Sequence, residues 1–260
     1  VPVAVVGTQL YDKEGESFKI KKGKIRGEVS EGMICAEDEL GISDNHEGIL
    51  VLPENWTPGE PLNKFIEVKQ DYIIHVELTP NRADATNHLG VAQDIAAYLK
   101  VNHESPVGVS WPETLEIEKP ETELPFEIDV VFGEACPRYS GIVLNDVVVR
   151  ESPSWLQDRL RSIGIAPKNN VVDITNFILH EMGQPLHAFD YDQINSQKII
   201  VDRLKQGSSF TTLDEQERKL NGEELMILDG DRKPLCMAGV FGGASSGVNE
   251  STRKIFLESA

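Results

Sequence analysis

Histidines, carboxylates, cysteines and one glycine-rich run are the places where this sequence could do chemistry. The run AGVFGGASSG at 238–247 lacks the G-K-[ST] that holds a triphosphate and magnesium, so it reads as a tight turn. His180 and His187 stand seven residues apart, and Glu181 does not complete a metalloprotease helix pair, whose histidines sit about four apart. The adjacent acids of AEDEL at 36–40 read as solvated carboxylates in a loop. Cys35, Cys136 and Cys236 are odd in number, far apart and in no C-x-x-C pair. They predict reduced, structural thiols, no disulfide framework and no metal site. A formal charge of −18 argues against nucleic acid as a partner of the whole surface. Locally, FKIKKGKIRG gathers Lys19, Lys21, Lys22, Lys24 and Arg26 without an acid among them. That edge could face phosphates or simply resist edge pairing as a solvated strand.

The elements that would position these groups divide the chain. At 260 residues, with 40% hydrophobic and 26% charged side chains, it predicts two or three folded units. No apolar run approaches the roughly 20 residues of a membrane span. The chain opens at Val1 with no methionine and no leader pattern, which predicts a piece cut from a longer protein. Residues 1–58 offer short β runs (VPVAVVG, FKIKKGKIRG, GILVLP) broken by glycines, as in part of a small barrel. Residues 59–105 predict a small α/β segment. In it the strand DYIIHVELTP precedes a helix with Leu89, Ala92, Ile95, Ala96 and Leu99 at helical spacing, capped by Asp84 or Thr86. The acidic, proline-bearing stretch 106–125 predicts a linker. Residues 126–260 predict a mixed α+β unit. Its helices are SPSWLQDRLRSIG, capped by Ser152 or Ser154 and ended by Gly164, and VVDITNFILHEMG, ended by Gly183. Its strands are FEIDVVF, YSGIVLNDVVV, IIVDRL, FTTLD, LMILDG and PLCMAGVFGG.

Four strings, in order, carry a resemblance. IRGEVSEGMICAEDELG, LTPNRADATNHLGVAQDIAAYL, RYSGIVLNDVVV with NNVVDITNFILHEMGQPLHAFD, and MAGVFGGASSGVNESTRKIFLESA are similar to successive landmarks of the bacterial phenylalanyl-tRNA synthetase β subunit. The resemblance covers nearly the whole chain. It implies a multidomain α+β fold: a truncated oligonucleotide-binding β-barrel, a small α/β domain and an α+β editing module. It also implies hydrolysis of mischarged Tyr-tRNA(Phe), inside a cytoplasmic α2β2 enzyme that attaches phenylalanine to tRNA(Phe). ATP and magnesium are implied for that whole enzyme, and no cofactor for this part of it. The implied partners are tRNA(Phe) and the α subunit.

The resemblance further implies a pocket built from Thr175-Asn176, His187-Ala188-Phe189, Ala238-Gly239 and Leu257-Glu258. In it Glu258 would accept the hydroxyl that distinguishes tyrosine from phenylalanine, leaving an unpaired acceptor when phenylalanine enters. His187 would orient the attacking water, directly or through the terminal hydroxyl of the tRNA. Gly239 would leave room for the ring and an exposed N–H. Read from the residues alone, His187 could cap a turn after Pro185, and Glu258 could pair with a lysine at a strand end. A non-catalytic module for tRNA and subunit contacts is the alternative, and a free-standing protein sharing only the last module fits the upstream strings less well.

Overall fold

The computed structural model describes residues 1–11, 16–42, 48–66, 72–103, 106–114 and 124–259. The part of the expected linker at 115–123 lies outside them. The chain divides into two units, Val1–Tyr72 and Ile73–Ala260.

The first unit shows three antiparallel ladders of three-residue strands among its described residues. β1 (Val3–Val5) pairs with β6 (Gly32–Ile34), β2 (Gln9–Tyr11) with β3 (Ser17–Lys19), and β4 (Gly23–Ile25) with β5 (Glu28–Ser30). Ala4, Leu10, Ile20 and Cys35 form its small core. The β4–β5 connection is a two-residue turn with Arg26 at φ 53° and Gly27 at φ 94°, both left-handed, as the twist of a tight hairpin requires. GILVLP forms no strand: Ile49 and Val51 are exposed, and Leu50 N–H donates to the Cys35 carbonyl at 3.0 Å.

The strand expected over DYIIHVELTP (71–80) does not form across its described residues 72–80 either; Ile73, Ile74 and Val76 lie exposed in irregular backbone. Their β-branched character favours a strand only where a neighbouring strand and a core receive it. Helix α1 (His88–His103) forms where the apolar spacing puts it. Its cap is Asn87, whose Oδ1 accepts from Gly90 N–H at 2.8 Å. Thr86 instead donates to the Ala83 carbonyl, and Asp84 is held by the Arg82 guanidinium.

The remaining elements are β7 (Glu127–Val130), β8 (Ser140–Leu144), α2 (Ser154–Ser162), α3 (Asn170–Met182), β9 (His187–Asp190), β10 (Lys198–Arg203), β11 (Ser209–Thr211), β12 (Glu217–Lys219), β13 (Leu225–Asp229), β14 (Pro234–Met237), β15 (Phe241–Gly242) and β16 (Ile255–Ser259). Five strands order as β15-β14-β13-β10-β7, antiparallel except for the parallel β10–β7 pair, and three as β8-β16-β9, all antiparallel. The mixed α+β architecture expected from the alternating patterns is therefore present.

Period-two alternation sorts the layers. Phe189 and Phe256 project from the three-stranded sheet onto Ile199, Val201, Ile227 and Leu235 of the five-stranded one. The intervening residues Ala188 and Ile255 project the other way, onto Val171 of α3. On the outer face of the five-stranded sheet, Ile200, Met226 and Leu228 meet Phe210 and Leu220, from and beside the β11–β12 hairpin. Helix α3 is capped by Asn169, whose Oδ1 accepts from Val171 and Val172 N–H, and ends at Gly183 in the left-handed region. Neither expected serine caps α2, whose N-cap is Pro153. Ser152 donates to the buried Asp173 of α3 at 2.5 Å and so ties the helices together. Helix α1 joins this layer through His88 Nδ1, which donates to the His180 carbonyl at 2.8 Å.

Gly90 gives a test. A Cβ there would lie 2.2 Å from the Asp84 carbonyl oxygen and 2.5 Å from the Ala85 Cα. Alanine in a free helix would gain about 1 kcal/mol over glycine, whereas forcing backbone apart in a packed site costs about 1–3 kcal/mol. Gly90→Ala is therefore expected to lower stability despite its propensity, and urea denaturation followed by helical circular dichroism measures the sign.

Candidate functional site

The pairing of β9 with β16 sets the site. Glu258 lies directly across from His187, and Leu257 across from Ala188. Opposed residues of an antiparallel pair share a face, so His187 and Glu258 project together, on the face that carries Phe189 and Phe256. On the other side of β16 the residue across from Glu258 is Gly141. A Cβ at Gly141 would fall 2.2 Å from the Phe256 ring, so this position must be glycine for the ring to lie over it.

Glu258 has a partner that the sequence reading did not anticipate. The hydroxyl of Tyr139 donates to Glu258 Oε2 at 2.5 Å. The Tyr139 ring is roughly parallel to Phe256, with centroids 6.4 Å apart and planes 18° from coplanar. The His187 ring meets Phe189 edge-on at 4.4 Å. From the facing sheet come Cys236 of β14 and Gly242 of β15, where a Cβ would sit 3.1 Å from His187 Cε1. Glu258 and His187 each keep some surface at the margin of the layers, yet enough protein surrounds them for desolvation to dominate their titration. Burial raises the Glu258 pKa, and the Tyr139 hydrogen bond offsets part of that rise. Burial lowers the His187 pKa, so its imidazole is mostly neutral at neutral pH. Burial, with the Glu258 charge beside it, pushes the Cys236 thiol up to about 12, which leaves it protonated and a poor nucleophile.

The other expected site residues are distributed as follows. Phe189 is fully buried in the core between the sheets, and Ala238 packs against the same core. Gly239 is exposed in the β14–β15 connection at φ 67°, with nothing within 4 Å of a notional Cβ, so the demand for glycine there comes from the backbone. Ala188 faces the α3 layer. Thr175 lies on α3 and donates its hydroxyl to the Val172 carbonyl at 2.7 Å; Asn176 is the next helical residue. Lys19, Lys21, Lys22, Lys24 and Arg26 are all exposed in the first unit, with Lys22 paired to Glu31 at 2.5 Å.

The unit that holds this site is similar to known proteins. Residues 135–260 match the B3/4 domain family. The full chain is 51% identical over 267 residues to the phenylalanine–tRNA ligase β subunit of Porphyromonas gingivalis and 50% identical over 260 residues to that of Bacteroides fragilis. Over its whole length the chain is homologous to the phenylalanine–tRNA ligase β subunit. It spans 31% of the length of each of these relatives. Among solved structures, an N-terminal fragment of the phenylalanyl-tRNA synthetase β subunit from Pyrococcus horikoshii aligns at TM-score 0.41 and 14% identity, covering 56% of this chain and 45% of that one.

Within the B3/4 unit, the arrangement can offer a water-orienting neutral imidazole and a desolvated carboxylate acceptor on one face. The titration of Glu258 also has a consequence for stability. A carboxyl whose folded pKa is raised stabilises the fold while protonated, and that contribution is lost as pH rises through the folded pKa. Glu258→Gln stays neutral and keeps an acceptor for Tyr139. It is expected to gain on the wild type as pH rises from 4.5 to 8, melting above it at the upper end of that range. Parallel thermal melts across that range check the divergence.

Proposed function

We propose that the B3/4 unit hydrolyses Tyr-tRNA(Phe), with Glu258 accepting the substrate's phenolic hydroxyl and His187 orienting the attacking water. The observation that carries this reading is the direct opposition of the two side chains on one face of β9–β16. Opposite demands for the two amino acids follow from one physical fact. Phenylalanine would bury a carboxylate oxygen against a hydrogen, while tyrosine supplies the missing donor. The ester bond itself is weak enough that positioning a water and stabilising the oxyanion suffice, and the protonated state of Cys236 supports a mechanism without a cysteine nucleophile. Thr175, Asn176 and Ala188, which the family resemblance adds to the pocket, belong to the α3 side of the sheet, so the proposal leans on His187, Glu258 and the Ala238–Gly239 turn.

On the same reading the chain acts inside a cytoplasmic ligase that charges tRNA(Phe) with phenylalanine, in an α2β2 assembly with the α subunit. The first unit would be part of an oligonucleotide-binding barrel, and its edge Lys19–Arg26 would meet the tRNA backbone. ATP and magnesium would serve the charging reaction elsewhere in that assembly. Among the described residues no group of three or more His, Cys, Asp or Glu could hold a metal ion, and no helix is long and apolar enough to cross a membrane.

The test is deacylation by the complete ligase. A hydrogen bond to a charged acceptor is worth about 1.5–3 kcal/mol, so Glu258→Ala is expected to reduce the preference for Tyr-tRNA(Phe) over Phe-tRNA(Phe) by about one to two orders of magnitude. His187→Ala is expected to slow hydrolysis of both esters alike, by about 10²-fold or more. Unchanged deacylation in both variants, with tRNA binding reduced only by removal of the basic edge, would instead favour a purely binding role.

A further inference from the structure

We propose that Tyr139 is the positioning residue of this site, holding Oε2 of Glu258 so that Oε1 is left to receive a phenolic hydroxyl from the substrate. This deepens the hydrolytic reading and rests on it. The geometry has three parts. Tyr139 donates to Oε2 at 2.5 Å, and no hydrogen bond to Oε1 occurs among the described residues. The Tyr139 ring packs against the core that contains Phe256, so the phenol is fixed by its own packing and does not swing free. Tyr139 and Glu258 come from chain segments 119 residues apart, and strand β8 brings Tyr139 into reach because Gly141 lies across from Glu258 two residues further on.

A carboxylate at the end of a flexible side chain samples several rotamers, and each one lost on binding reduces affinity. Pinning one oxygen against a packed ring removes that freedom beforehand and aims the second oxygen. Tyr139 is thus the protein's own phenol on the acceptor, and the substrate's phenol would be the second. The titratable groups that face this pair are His187 from β9, Cys236 from β14 and Cys136 from the turn ahead of Tyr139. None of these is a cation at neutral pH, since His187 is mostly neutral and a cysteine carries no positive charge in either form. Tyr139 is therefore the group that favours the ionised form of Glu258, and its removal moves the ionisation to higher pH.

The experiment uses the complete ligase and measures hydrolysis of Tyr-tRNA(Phe) and Phe-tRNA(Phe) between pH 5.5 and 9 for the wild type, Tyr139→Phe and Glu258→Gln. The expected result for Tyr139→Phe is a loss of about tenfold in the tyrosine-to-phenylalanine rate ratio, an unchanged rate on the phenylalanyl ester and a pH midpoint for the tyrosyl ester shifted upward. A purely structural role would slow both esters and leave the midpoint in place, and that result overturns the proposal. Faster clearance of Tyr-tRNA(Phe) by Tyr139→Phe also overturns it, because Tyr139 would then compete with the substrate. If Glu258→Gln loses tyrosine preference while Tyr139→Phe keeps it, the positioning role fails and the hydrolytic reading stands; if neither variant changes the preference, both fall. Should Tyr139→Phe melt well below the wild type, 3-fluorotyrosine at 139 decides. Its more acidic phenol donates more strongly and is expected to move the midpoint downward, and a midpoint that stays in place rules the role out.

Discussion

A carboxylate that has lost most of its water needs donors, and the way Glu258 obtains one organises the half of the chain that carries the site. Its strand, β16, is central in a three-stranded sheet, so it receives neighbours on both sides: His187 from β9 and Gly141 from β8. The register brings Tyr139 to Oε2 and the imidazole to the adjoining position on the same face. A slip of one residue in either pairing would send Glu258 to the α3 side, against Val149 and Val171 and away from the Tyr139 hydroxyl. The register is thus fixed by the apolar pattern on both faces: Phe256 and Phe189 to one side, Ile255 and Ala188 to the other.

The layers beyond the sheet serve the same end. The five-stranded sheet closes the phenylalanine-rich side and contributes Cys236 and the glycine at 242, which keeps backbone close to the imidazole. On the far side α3 is held by three polar devices: the Asn169 cap, the Ser152–Asp173 hydrogen bond and the His88 bond to its last turn. Each is worth about 1 kcal/mol, small beside the apolar burial but specific in direction. Through Gly183, whose left-handed φ turns the chain, α3 delivers the backbone into β9 and so sets where His187 begins.

Much of this was legible in the sequence, and the failures have physical causes. Helices α1 and α3 were readable because apolar spacing and glycine stops act locally. The cap of α1 was misplaced because Thr86, Asn87 and Asp84 can all cap, and only the turn around Gly90 selects Asn87. Residues 72–79 have strand-forming side chains, but pairing is a property of neighbours and not of the segment. His187 and Glu258 were named through family resemblance; their opposition across β9–β16 depends on pairing that no local pattern reveals. Tyr139, in RYSGIVLNDVVV, carries no local signal of its bond to Glu258, since that partner lies 119 residues away. The only signal in the sequence was the parity that sets Tyr139 two residues before Gly141. At Gly239 the structure assigns the need for glycine to a left-handed backbone, a demand that a reading of pocket space in the sequence does not reveal.

On the proposed reading, a carboxylate oxygen of Glu258 is the receptor for a substrate hydroxyl. The decisive measurement is a crystal structure with a non-hydrolysable tyrosyl ester mimic, tyrosine joined by an amide to 3′-amino-3′-deoxyadenosine. The phenolic oxygen is expected about 2.5–2.7 Å from Glu258 Oε1, with Tyr139 still on Oε2 and the amide carbonyl within reach of a water on His187. A tyrosine ring lodged away from Glu258, or a phenol that takes the place of Tyr139 on Oε2, would contradict it.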